Sequence, residues 1–181
     1  MSLDSPAQKR LLTLARQTIA ARLEGQAPPK VGESDLGRGQ GAFVTLHRQG
    51  ALRGCIGSFE GRGSLAGTIQ EMAISAAFQD PRFPPLASMP ELEECHLEIS
   101  VLSPLKETDP ESIEVGRHGI YIISGPSRGV LLPQVAAEQG WDRKTFLDQT
   151  CLKAGLATGC WQEKGTKVLS FTAQIFGEEA D

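Results

Sequence analysis

The sequence predicts an α+β fold, with helices flanking an antiparallel or mixed sheet. Three observations carry this. Two stretches read as hairpins, one turning at Gln49-Gly50 and one around Gly125-Pro126-Ser127, so neighbouring strands run antiparallel. Helical periodicity is confined to a few separate segments. Helices and strands do not alternate in a regular βα rhythm, which argues against a doubly wound architecture.

Each element follows from local chemistry. Ser5-Pro6 reads as an N-cap followed by a first-turn proline. Leu11, Leu12, Leu14, Ala15, Ile19 and Leu23 then recur at helical spacing up to about Gly25. The Pro- and Gly-rich segment 26–41 reads as a loop. In AFVTLHR, 42–48, Phe43, Thr45 and His47 alternate with Val44, Leu46 and Arg48, and ALRGCIGSF follows as the partner strand. Ser64 caps a helix reaching about Phe78, with Leu65, Ile69, Met72, Ala73 and Ala76 on one face. DPRFPPL, 80–86, holds too many prolines to continue it. HLEISVLSPL, 96–105, is a strand with Leu97, Ile99 and Val101 on one face, ended by Pro104. Residues 118–133 form the second hairpin, and Pro133 opens a short helix. Asp142 caps another helix, running to about Ala154 with Gly155 past its end. KVLSFTAQIF, 167–176, reads as one last strand, and GEEAD after it as a frayed tail.

Composition bounds the function. A chain of 181 residues fits one domain, spanning 5–177, or one domain with a modest subdomain. With 40% apolar and 22% charged residues it belongs with globular rather than disordered chains. The net charge of -4 argues against a broad nucleic-acid or membrane footprint. No apolar run approaches the ~20 residues of a membrane helix, and MSLDSPAQKR lacks a signal-peptide core, so the expected compartment is the cytoplasm. Cys55, Cys95, Cys151 and Cys160 show no CxxC spacing, and a reducing cytosol favours free thiols over bridges.

The stretch LRGCIG, 52–57, is where chemistry is expected. On a regular strand Leu52, Gly54 and Ile56 face the core, while Arg53, Cys55 and Gly57 share the other face. Arg53 and Cys55 are then ~7 Å apart at Cα, close enough for the guanidinium to favour the thiolate. Gly54 and Gly57 would leave the approach to the sulfur open. A buried structural cysteine is the competing reading. A thiol nucleophile needs a base. Among the three histidines, His118 in GRHG is the best placed, ahead of His47 and His96. No metal site is expected, because Cys95 and His96 point to opposite faces of a strand. GRGQG, 37–41, and GRG, 61–63, lack the context of a phosphate loop and read as flexible loops.

LRGCIG, DPRFPPL, LEISVLSPL (97–105), GRHGIYI (116–122), LLPQVAAEQGWD (131–142) and FLDQTCLKAGL (146–156) together resemble the AMMECR domain family, whose prokaryotic members are called AmmeMemoRadiSam system protein A. The resemblance spans nearly the whole chain. It implies an α+β fold with a larger part built from both chain ends and a smaller inserted part. It places the family's motif residues on Arg53, Gly54, Cys55, Ile56 and Gly57, on Asp80 and Arg82, on His118 and on Cys151. It implies a Memo-like protein and a radical SAM protein as partners, and it fixes no reaction and no cofactor. Two expectations follow. One is an enzyme or enzyme component using Cys55 with His118, in which Arg53, Gly54, Gly57, Asp80 and Arg82 hold a small anionic ligand. The other is a non-catalytic binding or scaffold module.

Overall fold

The computed structural model describes residues 2–32 and 36–178. It is α+β and divides into two compact units, one comprising the chain up to Leu102 and again from Gln174, the other Ser103–Ala173. The larger part is therefore built from both chain ends and the smaller is inserted.

The first unit holds α1 (Ser5–Leu23), β1 (Arg38–Arg48), β2 (Ala51–Ser64), α2 (Leu65–Phe78), α3 (Met89–Glu93), β3 (Cys95–Leu102) and β8 (Ala173–Gly177), the last strand of the chain. Its sheet has the order β2-β1-β3-β8, so β2 is an edge strand. Ala42, Val44 and Leu46 of β1 and Leu97, Ile99 and Val101 of β3 form one apolar face. That face packs in one cluster with Leu11, Ala15 and Ile19 of α1 and with Leu65, Ile69 and Ala73 of α2. Ser64 caps α2 as expected, accepting from the Gly67 N–H at 3.1 Å. The cap of α1 is Asp4 rather than Ser5, because the Asp4 carboxylate reaches the Ala7 N–H at 3.0 Å. Gln49 and Gly50 both have positive φ, 52° and 77°, the turn whose twist matches a two-residue hairpin.

The inserted unit holds β4 (Lys106–Glu107), β5 (Gly119–Ser124), β6 (Ser127–Leu131), α4 (Pro133–Gln139), α5 (Arg143–Lys153) and β7 (Thr166–Phe171), with sheet order β4-β7-β5-β6. Ile120, Ile122 and Val168 pack on Phe146, Leu147 and Cys151. Asp142 caps α5 through the Thr145 N–H at 2.7 Å.

Several expectations are corrected. The glycine-rich stretches at 38–41 and 61–63 are strand, not loop. Glycine is needed there because the backbones crowd: a Cβ on Gly41 would lie 2.4 Å from the Phe59 carbonyl, and one on Gly61 the same distance from the Gln40 carbonyl. The segment 167–176 is two strands, β7 and β8, which serve different sheets. They part at Thr172, whose N–H donates to Ser103 Oγ (2.9 Å) and whose carbonyl accepts from the Ser103 N–H (2.8 Å). Cys151 and Cys160 are joined in a disulfide, where free thiols were expected. Glu178 does not fray: its carboxylate takes bonds from Arg16 Nε and Nη2, both at 2.6 Å, and from the Leu97 N–H at 2.9 Å. Residues 179–181 of the expected tail lie outside the described residues.

Candidate functional site

Cys55 owes its position to a β-bulge. Counting back from the Gln49-Gly50 turn, Arg48 pairs with Ala51 and His47 with Leu52, but Leu46 pairs with Gly54 and Thr45 with Cys55. Arg53 is the extra residue. Without it, Cys55 would pair with Val44 and face the core, since a one-residue slip exchanges the faces of a strand. With it, Cys55 shares the outer face with Thr45. Leu52, between the turn and the bulge, pairs with His47 and lies on that face too, 40% exposed instead of buried as expected.

The backbone of Cys55 points off the sheet edge into a side-chain clamp. Its N–H donates to Asp80 Oδ2 at 2.9 Å, and its carbonyl accepts from Arg82 Nη2 at 3.1 Å. Arg82 in turn donates to the Asp80 carboxylate from Nε (3.0 Å), from Nη2 (2.7 Å) and from its own backbone N–H (3.1 Å). A carboxylate–guanidinium pair thus occupies the place of a neighbouring strand at this residue. LRGCIG and DPRFPPL are two halves of one structure. Asp80 is the buried member, with its side chain 1% exposed, and Arg82 the outward one, at 55%. The Arg82 guanidinium holds the Asp80 carboxyl far below the usual carboxylate range; burial opposes this, and the two backbone N–H bonds assist. The Arg82 guanidinium is itself raised, chiefly by Asp80, with a lesser contribution from Cys55.

Cys55 is a free, partly exposed thiol. Thr45 Oγ1 donates to its sulfur at 3.2 Å. Close side-chain approach fits a residue pair whose backbone bonds point away from each other. The second free thiol, Cys95, is buried, and burial pushes its pKa up.

Arg53, expected beside the sulfur, is committed elsewhere. Its Nε (3.0 Å) and Nη2 (2.8 Å) both donate to Glu91 Oε1, and its side chain is only 11% exposed. Burial would raise Glu91, but the Ala87 N–H and Arg53 overcome it and leave its pKa lowered. Nor do the glycines leave open space. A Cβ on Gly54 would lie 2.2 Å from the Ala76 carbonyl of α2, and one on Gly57 would lie 2.2 Å from the Phe43 ring. His118 belongs to the inserted unit, where Nδ1 accepts the Glu114 N–H at 3.0 Å and its own N–H donates to the Glu114 carbonyl at 2.9 Å. Cys151 is spent in the disulfide. Structure therefore gathers Cys55, Asp80 and Arg82 and adds Thr45, which sequence reasoning missed. The signal for Thr45 was the hairpin register, but only with the bulge known. Among the described residues no group of three or more His, Cys, Asp or Glu is placed to hold a metal ion, and no helix is long and apolar enough to cross a membrane.

Two antiparallel sheets in separate units, with a clamped thiol on an edge strand, define a class of α+β protein. The chain belongs to the AMMECR1 family, whose model matches residues 12–176. It is 44% identical over 183 residues to protein PF1979 of Pyrococcus furiosus, covering 93% of this chain and 87% of that one. It is 43% identical over 180 residues to protein MK0488 of Methanopyrus kandleri, with the same coverage. The crystal structure of protein PH0010 from Pyrococcus horikoshii superposes with a TM-score of 0.83 at 41% identity, covering 98% of this chain and 94% of that one. None of these names carries an activity.

Proposed function

We propose that the chain is an enzyme component that works through the Cys55 thiol. One observation carries this reading. The sulfur is presented on the outer face of an edge strand, while Asp80 and Arg82 grip its backbone on both sides and Thr45 donates to it. A nucleophile held this firmly loses little entropy on reaching its attacking position. Arg82 is paired with Asp80 as Arg53 is with Glu91, but its side chain is 55% exposed against 11%, so Arg82 is the cation that can meet an anionic substrate group. The chemistry open to such a thiol is group transfer: Sγ bonds to an electrophilic carbon, and the departing group leaves with the thiol proton.

A second reading is favoured by the commitment of Arg53 to Glu91 and of His118 Nδ1 to its own turn. Here the Cys55 face is a binding surface in a module that acts with a Memo-like and a radical SAM protein, and no bond is made at sulfur.

Alkylation with iodoacetamide, read by peptide mass spectrometry, separates the two. Cys95 is buried and Cys151 and Cys160 are bridged, so Cys55 is expected to be the one residue labelled in the folded protein. Pull-down of the two partners with Cys55→Ser completes the test. Retained capture by Cys55→Ser supports the enzyme component, because the thiol is then dispensable for binding; lost capture supports the binding module. A Cys55 that labels only after unfolding in urea sinks it and leaves the binding module.

A further inference from the structure

The outer face of β2 says what kind of ligand would meet the thiol. On either side of the bulge, Leu52 and then Cys55, Gly57 and Phe59 follow one another along that face. Phe43, opposite Gly57 in the register, lays its ring across the glycine, since a Cβ there would meet ring carbons at 2.2 Å. Phe43 and Phe59 meet edge to face, with centroids 5.2 Å apart and planes at 68°. The thiol therefore sits in the middle of an apolar stripe, with exposed Leu52 on one side and the aromatic pair on the other. Gly57 is what allows the Phe43 ring to lie across β2, two residues along the strand from Cys55. Along the sheet edge at the same residue stands Arg82, whose side chain is half exposed while the compensating Asp80 charge is buried.

From this juxtaposition we infer that the site takes a flat, apolar carboxylate, with its ring or acyl body on the Leu52–Phe43–Phe59 stripe and its anionic end at Arg82. The inference rests on Cys55 being the working thiol. Apolar area and charge are supplied by different side chains, so each half of the ligand is recognised independently.

Affinity labelling tests it with reagents that carry the two features separately. The probes are 4-(bromomethyl)benzoate, its neutral methyl ester, and iodoacetamide, each rate being divided by the rate with glutathione. In each reaction the thiolate bonds to carbon, halide leaves, and the thiol proton goes to buffer. The expected order is benzoate fastest, then ester, then iodoacetamide. Leu52→Ala and Phe59→Ala are expected to cut the ester's advantage over iodoacetamide about tenfold, the effect of one ring face left in water. Arg82→Gln is expected to abolish the advantage of benzoate over ester. Because Arg82 also clamps the backbone, the wild type at rising salt serves as the second measurement, and the same advantage should shrink there. Equal normalised rates for all three probes at a reactive Cys55 would overturn the inference and leave the thiol reading standing. A Cys55 that none of them labels in the folded protein would overturn both.

Discussion

At the scale of single residues, the glycines of LRGCIG illustrate how one residue type serves different ends. Gly54 admits the carbonyl of Ala76, which is backbone of a buried helix and has nowhere to go. Gly57 admits the Phe43 ring, which can rotate. Gly54→Ala is therefore expected to cost about 3 kcal/mol, and Gly57→Ala about 1 kcal/mol, by overpacking. Equilibrium urea unfolding of the two variants checks the order. Costs that came out equal would mean that α2 yields as easily as a ring. The sequence shows that something approaches closely at both positions. It does not show whether the visitor is a ligand or the protein itself, because an omitted Cβ looks the same in either case. Arg53 shows the same limit: its distance from Cys55 along the strand was countable, but Glu91, 38 residues on, was not.

At the scale of elements, the Asp80–Arg82 clamp ties an irregular loop to a strand edge. Asp80→Asn keeps the shape but removes the charge, and a loss of about 2–3 kcal/mol at neutral pH is expected from hydrogen bonds to a charged group. The folded carboxyl lies below its unfolded value of ~3.9. Its contribution is thus complete well above that value and is lost as pH falls through it toward the folded pKa. Denaturant midpoints for wild type and Asp80→Asn should converge as pH drops below about 4; a gap that stayed constant down to pH 2 would assign the stabilisation to shape rather than charge. Most elements were legible because their signals are local. Ser64, Asp142 and Gln49-Gly50 act on the nearest few residues. The bulge at Arg53 was not, because it is a relation between two strands. Nor was the break at Thr172: seen alone, 167–176 is a continuous apolar alternation, and only Ser103 marks where it changes sheet.

At the scale of the whole molecule, two separate cores mean that damage to one need not reach the other. The Cys151–Cys160 bridge closes a loop of 9 residues in sequence separation, inside the inserted unit. Loop-closure entropy gives such a bridge about 2–3 kcal/mol. In Cys151→Ala/Cys160→Ala, faster amide hydrogen exchange is expected within 103–173 only, with β1, β2 and α2 unchanged. Acceleration spread evenly over both units would show that they unfold as one. The division into a larger part and an insert came from the resemblance, since no composition shift marks residue 102 or 174.

The ion pair of Arg16 with Glu178 spans 162 residues, and the insert lies between its partners. A ribosome adding ~5–20 residues per second makes the helix bearing Arg16 about 8–30 s before it makes the carboxylate that completes its bonding. Until then the nascent first unit also lacks β8. The inserted unit, whose own sequence is contiguous, ends at Ala173, only five residues before Glu178, and is finished about 0.3–1 s earlier. Translation order therefore makes both units wait for the same last stretch of chain, and α1, β1, β2 and β3 stay without β8 for most of synthesis.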